Sequence, residues 1–333
     1  SQTRRLASLR SAAPDQTPGR LGVHRTSARR EAPMSGAPRS ALATWVAASR
    51  PRTLPAAAAP VAIGAGLAWR EGLFHLPSAL GALVGALLLQ IAANFANDYF
   101  DGVKGTDTPD RLGPTRAVAA GHVTPAAMRN AFVLMLLAAT AVGALLAWRA
   151  GWPVVAIGVA SIAGAVLYTG GARPLGYLGL GDVLVLAFFG PVAVAGTVYV
   201  QALAWRADAI VAGLGPGLLA VALLAVNNLR DVDTDRRAGK GTLAVRLGPG
   251  FARGEIVSAL LGAALVPVLL VLTFDAPRAV LGASALALVG APAARRALRA
   301  QPGDRLLDVL AALGKLLGLY GLGLGALWAW GPA

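Results

Sequence analysis

Nine long stretches without a charged residue divide the sequence, and they constrain the fold more than any other feature. A membrane-spanning helix needs about 20 mostly apolar residues, within a range of about 17–25. The stretches cover residues 53–69, 72–97, 130–148, 150–172, 183–205, 209–229, 256–274, 279–294 and 316–333. The sequence therefore predicts an all-α, polytopic membrane protein with about nine transmembrane helices.

The composition excludes several other classes of protein. Hydrophobic residues make up 56% of the 333 residues and charged residues only 14%, whereas a soluble domain carries about 25% charged residues. A soluble enzyme with an ordinary surface, a disordered chain and a coiled coil are therefore excluded. Because the sequence has no cysteine, disulfides, iron–sulfur clusters, thiol nucleophiles and zinc fingers are excluded as well.

Basic residues are distributed unevenly over the loops that join the predicted spans. If the first span begins on the cytoplasmic side, the cytoplasmic loops hold 17 lysines and arginines and the outer loops hold four. Membrane proteins carry such an excess in their cytoplasmic loops. The distribution predicts a multi-pass protein of the cell membrane, embedded in the lipid bilayer, with a cytoplasmic N-terminus and an outer C-terminus. It also explains much of the net charge of +14 without nucleic acid as a partner.

The N-terminal tail, residues 1–40, differs from the rest of the chain. It has eight arginines and no apolar run, so it lacks the hydrophobic segment of a secretory signal peptide. We expect a disordered, basic tail at the membrane surface, with a transit peptide as the alternative. Residues 41–50 are expected to form a short interfacial helix with Trp45 at the level of the lipid headgroups. Residues 41–333 are expected to form one transmembrane domain.

Acidic residues are concentrated in two clusters, each of which follows an even-numbered span and so faces the cytoplasm. The clusters comprise Asp98, Asp101, Asp107 and Asp110, and then Asp231, Asp233 and Asp235. In both, an asparagine precedes an aspartate by four residues: Asn97 precedes Asp101, and Asn227 precedes Asp231. Residues four apart share one face of a helix, so their oxygen atoms project into one space. The match predicts an internal duplication with the functional site at the interface between the repeats.

Oxygen-bearing side chains of this kind favour a hard divalent cation. Mg²⁺ is bound through one or two carboxylates together with the phosphates of a substrate, and Asn94 extends the row of oxygens by one turn. Basic residues follow both clusters, Arg116 after the first and Lys240 and Arg246 after the second. One guanidinium group can donate two parallel hydrogen bonds to the oxygens of a phosphate group. The clusters therefore predict a magnesium site that binds a diphosphate at the cytoplasmic face.

Longer strings around these clusters identify a family that the chain resembles. They are SRPRTLP at 49–55, NDYFDGVKGTD at 97–107, GPTRAVAAGHVTP at 113–125, YTGGARPLGYLGLGD at 168–182 and NNLRDVDTDRRAGKGTLAVRLG at 227–248. In these strings the chain resembles the UbiA superfamily of intramembrane prenyltransferases. It is most similar to the branch that prenylates 1,4-dihydroxy-2-naphthoate, the MenA type of menaquinone biosynthesis. The resemblance runs from about residue 44 to the C-terminus.

The resemblance implies the transfer of a polyprenyl group from polyprenyl diphosphate to 1,4-dihydroxy-2-naphthoate. Diphosphate and CO₂ leave, demethylmenaquinol forms, and Mg²⁺ is the cofactor. The implied metal ligands are Asp98, Asp101, Asp107, Asn228, Asp231 and Asp235. The implied catalytic residues are Asn97, Asp101, Asp231, Asp235, Lys240 and Tyr168. The implied substrate-binding residues are Arg116, Arg173, Arg246, Asn94 and Tyr99, with Arg173 on the carboxylate of the acceptor.

Two alternatives remain open at this stage. A sibling enzyme of the superfamily would prenylate 4-hydroxybenzoate or homogentisate instead. A secondary transporter would place its acids within the spans, whereas here they lie at cytoplasmic helix ends beside basic residues. Anchoring at the membrane interface explains Tyr168 and Tyr177 about as well as catalysis does. Asp182 either orients the acceptor or caps the fifth span.

Overall fold

The structure, a computed structural model of the chain, describes residues 40–106, 112–113, 116–301 and 303–332. Within these ranges the chain forms α-helices and short 3₁₀ turns, and no β-strand occurs in them. The predicted all-α class is confirmed. The predicted disordered tail lies outside the described residues except for Ser40, and the predicted metal ligand Asp107 lies outside them too. The division into a tail and one transmembrane domain stays a prediction.

Thirteen α-helices follow one another along the described part of the chain. They are α1 (Ala41–Ser49), α2 (Leu54–Arg70), α3 (Leu76–Lys104), α4 (Pro125–Ala150), α5 (Trp152–Leu167), α6 (Gly181–Phe188), α7 (Pro191–Ala202), α8 (Ala207–Arg237), α9 (Leu243–Leu247), α10 (Pro249–Phe274), α11 (Leu281–Leu288), α12 (Ala291–Arg299) and α13 (Leu307–Trp330). Three 3₁₀ turns lie between helices, at Pro51–Thr53, Leu175–Leu178 and Arg278–Val280.

Several helix starts follow directly from the local sequence. Ser40, Thr124 and Thr242 each precede a helix, and each side-chain oxygen accepts a hydrogen bond from a backbone N–H group of the first turn. Such a cap satisfies one of the donors that a helix start leaves without a partner. Pro125 follows Thr124, at a position where the missing N–H group of proline costs nothing.

Six segments of the described chain are long and apolar enough to cross a membrane. They are α3, α4, α8, α10, α13 and the segment Gly181–Ala202, which contains α6 and α7. The apolar helix α5 has 16 residues, fewer than the about 20 of a typical span. The other predicted spans correspond to α2 and to the pair formed by α11 and α12. The polytopic helical architecture is confirmed, and the count of nine spans stays a prediction.

Two predicted spans are each interrupted at a glycine. Gly190 separates α6 from α7, and Gly290 lies between α11 and α12. A Cβ atom at Gly190 would lie 2.6 Å from the carbonyl oxygen of Gly213 in α8, and one at Gly290 would lie 2.9 Å from Cδ2 of Leu260. The interruptions therefore let the backbone approach its neighbours closely. Hydropathy gives no sign of them, because a broken helix is as apolar as a continuous one.

The helix α8 forms the centre of the bundle. It packs against α2, α6, α7, α9, α10 and α13, and Leu219, Val226 and Leu229 on it are fully or almost fully buried. Around it, α2 and α13 approach so closely that a Cβ atom at Gly66 would collide with the backbone of Gly325. Small residues at such crossings let helix backbones pack against each other in a membrane.

The short helix α1 and the long helix α4 brace the second half of α3. The helix expected over residues 41–50 is observed as α1, and Trp45 on it packs edge-on against Phe95 of α3 with ring centroids 5.6 Å apart. Met128 and Phe132 of α4 are buried in the same apolar cluster. This packing fixes the end of α3 that carries the first acidic cluster.

Candidate functional site

The C-terminal ends of α3 and α8 lie next to each other. Asp101 is in the last turn of α3, and its Oδ2 lies 3.1 Å from Nζ of Lys240, which follows the end of α8. The two acidic clusters, far apart in the sequence, therefore occupy the same end of the bundle. This is the geometry that a site shared between two repeats requires.

Asp101 lies at the centre of this region. Its side chain is only 2% exposed, and its Oδ1 accepts a hydrogen bond of 2.8 Å from the hydroxyl group of Tyr177. Its Oδ2 pairs with Lys240 and lies 3.6 Å from Nη2 of Arg116. A buried carboxylate stays charged only when such partners compensate for its lost water. Residues from three other segments thus hold this one acid.

Asp231, the counterpart of Asp101 in α8, is held by its own neighbour. Nε of Arg230 donates to Oδ1 of Asp231 over 2.7 Å, and the same guanidinium group also binds Oδ2. Both residues are largely buried, with 3% of Arg230 and 9% of Asp231 exposed. Asn227 donates to the carbonyl oxygen of Leu223, one turn earlier. Asp235 follows one turn later and is half-buried.

The asparagines of α3 connect that helix to neighbouring segments. Asn97 accepts a hydrogen bond of 2.7 Å from the hydroxyl group of Thr169. Asn94 donates over 2.9 Å to the carbonyl oxygen of Ser49 and over 3.1 Å to the hydroxyl group of Thr53. Asn94 therefore holds the entry to α2, whereas Asn97 holds the loop that follows α5.

Asp98 fastens the chain that follows α3. Its two carboxylate oxygens accept hydrogen bonds of 2.9 and 3.0 Å from the backbone N–H groups of Ala117 and Val118. These contacts place the preceding residue, Arg116, beside Asp101. The metal-binding role of Asp98 stays a prediction.

Tyr177 belongs to the site, although the sequence pattern explains it equally well as an interfacial anchor. Besides its bond to Asp101, its ring lies under two ammonium groups, 5.0 Å from Nζ of Lys240 and 5.4 Å from Nζ of Lys104. Its carbonyl oxygen accepts a hydrogen bond of 2.9 Å from the N–H group of Gly241. Cations are attracted to aromatic faces at such distances. Tyr177 therefore connects both acidic clusters.

The loop over residues 168–180 carries Tyr177 and is tied down on two sides. Nζ of Lys104 donates to the carbonyl oxygens of Thr169 and Gly171 over 2.8 and 3.2 Å. Gly179 has a φ of +75°, and a Cβ atom on it would lie 3.1 Å from the carbonyl oxygen of Gly241. Only glycine adopts this conformation readily at so close an approach. The loop thus lies against the end of α3 and against the chain that follows α8.

The two remaining basic candidates are exposed. Arg246 lies in α9, and its Nε donates to the carbonyl oxygen of Gly241 over 2.8 Å. Arg173 lies in the exposed part of the loop between α5 and α6. Their substrate-binding roles stay predictions, and both side chains lie on segments that border the site.

An apolar cavity of about 540 Å³ adjoins this polar cluster. Its lining comes from α2 to α7 and includes Asn97 and Tyr168 at one end of α3, and Gly81 near the other end. The 16 residue steps along α3 from Gly81 to Asn97 correspond to about 24 Å at a rise of about 1.5 Å per residue. Most of the lining residues are Ala, Gly, Val and Leu. The cavity suits a long apolar chain whose polar head lies near Asn97.

The two aromatic candidates, Tyr168 and Tyr99, lie in different places. Tyr168 lines the cavity, whereas Tyr99 is absent from the lining among the described residues. Tyr99 packs instead against Phe100 and Phe132, with ring centroids 5.0 and 5.8 Å apart. The substrate-binding role of Tyr99 stays a prediction, and Tyr168 is better placed to touch a bound chain.

Tyr168 brings a phenol to the polar end of the cavity. A neutral phenol at the polar end of the cavity donates a hydrogen bond and presents its aromatic face.

The acids of the site suit a cation that arrives together with a substrate. No group of three or more Asp, Glu and His side chains that could hold a metal ion occurs within the described ranges. Mg²⁺ in proteins takes one or two carboxylates and completes its shell with water and substrate phosphates. Asp101 and Asp231 supply such carboxylates without any nitrogen or sulfur ligand. These residues fit a magnesium ion bound with a diphosphate.

Known proteins show clear similarity to this chain. The model of the UbiA prenyltransferase family matches residues 57–316. Over 88% of its length, the chain is 42% identical to 99% of the 1,4-dihydroxy-2-naphthoate octaprenyltransferase of Mycobacterium tuberculosis. It is also 45% identical to the Escherichia coli protein of the same name, over 66% of this chain and 73% of that one.

Solved structures show similarity in fold. A UbiA homolog from Archaeoglobus fulgidus, bound to GPP and Mg²⁺, superimposes with a TM-score of 0.61 at 13% identity, covering 84% of this chain and 99% of that one. The apo structure of a homolog from Aeropyrum pernix K1 gives a TM-score of 0.61 at 16% identity over 80% and 96% of the two chains. At these identities the comparison concerns the helical architecture alone.

Proposed function

The chain belongs to the UbiA prenyltransferase family, and from this premise we propose that it is a 1,4-dihydroxy-2-naphthoate polyprenyltransferase of menaquinone biosynthesis. It transfers a polyprenyl group from polyprenyl diphosphate to 1,4-dihydroxy-2-naphthoate and releases diphosphate and CO₂, giving demethylmenaquinol. The curated relatives that carry this activity in their names support the assignment.

One observation of the structure carries the proposal furthest. The buried carboxylate of Asp101 lies among Lys240, Arg116 and Tyr177, directly beside an apolar cavity that Asn97 and Tyr168 line. A polar cluster of acids and cations suits a diphosphate, and the adjoining cavity suits its isoprenoid chain. The juxtaposition matches a substrate with a charged head and an apolar tail.

The basic residues bind the diphosphate and stabilise its charge as it leaves. Arg116 and Lys240 lie against Asp101, and Arg246 lies on the same segment as Lys240. Asp101 and Asp231, with Asp235 and Asn228 beside them, would hold Mg²⁺. The ion neutralises the oxygens of the leaving group when it is bound. The cations of the chain then need to move only slightly from carboxylate to phosphate oxygens.

The cavity protects the reacting carbon from water. When the allylic C–O bond breaks, its electron pair leaves with the diphosphate and a carbocation remains on the prenyl chain. The dry surroundings prevent water from capturing this cation, and the aromatic face of Tyr168 stabilises it. The small side chains of α3, α4, α5 and α7 accommodate the rest of the isoprenoid chain.

The acceptor supplies the electrons of the new bond. The ring carbon that bears the carboxylate attacks the carbocation and forms the C–C bond. The bond from that carbon to the carboxylate then breaks, its electron pair restores the aromatic ring, and CO₂ leaves. Arg173, on the loop after α5, binds the carboxylate of the acceptor before this step.

The site faces the cytoplasm in this proposal. The chain is a multi-pass membrane protein, and the ends of α3 and α8 lie on the side where the sequence concentrates its lysines and arginines. The positive-inside rule then places the N-terminus and the site in the cytoplasm and the C-terminus outside. The water-soluble acceptor and the diphosphate head reach the site from that side.

The reaction products test the proposal directly. Membranes that contain the protein are incubated with 1,4-dihydroxy-2-naphthoate and a polyprenyl diphosphate, with and without Mg²⁺, and the products are identified by mass. We expect a prenylated naphthoquinol that has lost the mass of CO₂, formed only with Mg²⁺. In parallel incubations 4-hydroxybenzoate or homogentisate replaces the naphthoate, and a prenylated product from either of them but not from the naphthoate would assign the chain to a sibling activity. No release of pyrophosphate under any condition would reject prenyl transfer.

A further inference from the structure

A second pocket, of about 340 Å³, lies away from the cavity described above. Three arginines of α12, Arg295, Arg296 and Arg299, line it together with Ala300, Asp304 and Leu306. Its volume falls within the range of about 300–1,000 Å³ that is usual for small-molecule sites. The prenyl transfer proposed above makes no use of this pocket.

The charges of the pocket are only partly compensated. Arg296 forms an ion pair with Asp308, and Asp304 accepts a hydrogen bond of 3.0 Å from the backbone N–H group of Gln301. Arg295 and Arg299 are exposed, and neither forms an ion pair with any residue in the described part of the chain. Two guanidinium groups therefore remain available for an anionic ligand.

The pocket lies at the same end of the bundle as the candidate active site. Nη2 of Arg253, in the first turn of α10, donates over 2.6 Å to the carbonyl oxygen of Ala300, which lines the pocket. The helix α10 in turn begins beside α9, which packs against α8. Nε of Arg253 is buried and has no hydrogen-bond partner among the described residues. Unsatisfied positive charge is therefore concentrated where α10, α12 and α13 meet.

Exposed apolar side chains lie close in sequence to the residues that line the pocket. The exposed fractions are 54% for Leu288 on α11, 67% for Val289 in the link to α12, and 45% for Leu298 on α12. Leu288 and Val289 lie within the predicted span 279–294 and would contact acyl chains in a membrane, whereas Leu298 lies on the basic segment that follows this span. The pocket therefore lies where the apolar surface of the protein meets its basic cytoplasmic edge.

We propose that this pocket binds the phosphate group of an anionic phospholipid, with the acyl chains along the exposed side chains of α11 and α12. One arginine can donate two parallel hydrogen bonds to the oxygens of a phosphate group. Basic pockets at the cytoplasmic ends of membrane helices bind anionic lipid headgroups. Inorganic phosphate has the same chemistry at its oxygens. The exposed apolar surface favours a lipid, because free phosphate gains nothing from it.

Native mass spectrometry of the detergent-solubilised full chain tests the proposal, with phosphatidylglycerol, phosphatidylcholine and inorganic phosphate as the probes. We expect the wild type to bind phosphatidylglycerol in clear preference to the other two. The double variant R295Q/R299Q should lose on the order of 10- to 30-fold in affinity for phosphatidylglycerol, since each arginine near an anionic lipid contributes about 1 kcal/mol. The matched control is Arg278→Gln, an exposed arginine at the opposite end of α11, which should bind like the wild type.

Three outcomes would overturn the proposal. They are wild-type affinity in R295Q/R299Q, an equal loss in Arg278→Gln, and inorganic phosphate binding as tightly as phosphatidylglycerol. If the double variant does not fold, the single variants Arg295→Gln and Arg299→Gln are used instead, and each should lose on the order of threefold to tenfold. The variant R295K/R299K keeps the charge and should retain most of the affinity. Neither arginine takes part in the proposed transfer, so the result is independent of the proposed enzymatic function.

Discussion

The ends of α3 and α8 carry the same spacing of asparagine and aspartate, yet their aspartates have different partners. Asp101 contacts Tyr177, Lys240 and Arg116, which come from three other segments. Asp231 contacts Arg230, the residue beside it in the same helix. Two helix ends can therefore carry one pattern of acids while, in the described part of the chain, only the aspartate of α3 takes its charge partners from other segments.

The difference indicates that the C-terminal ends of α3 and α8 have different roles. The cations around Asp101 come from elsewhere in the chain and can move to a diphosphate without unfolding a helix. The cation at Asp231 is fixed by its position in α8. We infer that the α3 end assembles the leaving-group site, whereas the α8 end supplies a preformed acid.

The largest effects are expected for the two aspartates themselves. Asp101→Asn and Asp231→Asn should each lower turnover on the order of 10³-fold, because each removes a charge on which transition-state stabilisation depends. Turnover is measured as pyrophosphate release at saturating Mg²⁺. Full activity of either variant would show that the substituted aspartate is not part of the active site.

Thermal unfolding of the same variants shows how much the stability of the protein depends on each aspartate. Asp101→Asn removes the carboxylate that Lys240 and Arg116 share, and breaking a buried pair costs about 3–5 kcal/mol. Asp231→Asn leaves one cation without its partner. The melting temperature of Asp101→Asn should therefore be the lower of the two, and the reverse order would contradict the difference drawn between the two ends.

An intermediate effect is expected for Tyr177→Phe. The variant keeps the ring under Lys240 and Lys104 but loses the hydrogen bond to Asp101, and a bond to a charged group is worth about 1.5–3 kcal/mol. The value of kcat should fall on the order of tenfold. Tyr199→Phe is the matched control, since Tyr199 donates to the carbonyl oxygen of Ala150 at the other end of the bundle, and its kcat should change less than about twofold. Equal effects would show that Tyr177 acts only through packing.

Arg116→Ala should mainly weaken binding of the prenyl donor. Arg116 is 8% exposed and lies 3.6 Å from Asp101, where it can reach a diphosphate. The KM for the polyprenyl diphosphate should rise about fivefold to tenfold, with a smaller fall in kcat, as steady-state kinetics would show. An unchanged KM for the donor would exclude Arg116 from the binding site.

The smallest effect is expected at the exposed edge of the second cluster. Arg236 pairs with Asp233 over 3.2 Å, and both side chains are more than half exposed. Exposed pairs of this kind contribute between nothing and about 1 kcal/mol, so Arg236→Gln should leave activity within about twofold of the wild type. A loss of tenfold or more would mean that the α8 end uses cations that the structure does not place at the site.

The sequence predicts those features that depend on local spacing. The apolar stretches define the helices because a span needs a length of apolar residues, and the four-residue spacing of Asn97 and Asp101 defines a shared helix face. Both properties belong to a single helix. The resemblance to a family then adds the identity of the substrates.

Features that depend on contacts between segments could not be predicted in this way. From the sequence of α3, Asp98 and Asp101 are both candidate metal ligands. In the structure, however, Asp98 accepts a hydrogen bond from the backbone of a loop, whereas Asp101 pairs with Lys240. Tyr177 lies in a loop, where no periodicity defines the direction of a side chain. The interruption at Gly190 depends on the close approach of α8. Each of these needs the packing of a second element.

Metal binding tests the central claim, that the ends of α3 and α8 act together on one diphosphate-bound ion. Mn²⁺ replaces Mg²⁺ as the probe, and its binding to the solubilised protein is measured by electron paramagnetic resonance in the presence of pyrophosphate. We expect Asp101→Asn and Asp231→Asn each to weaken Mn²⁺ binding by more than about tenfold. Binding at the wild-type affinity in either variant would contradict a shared site.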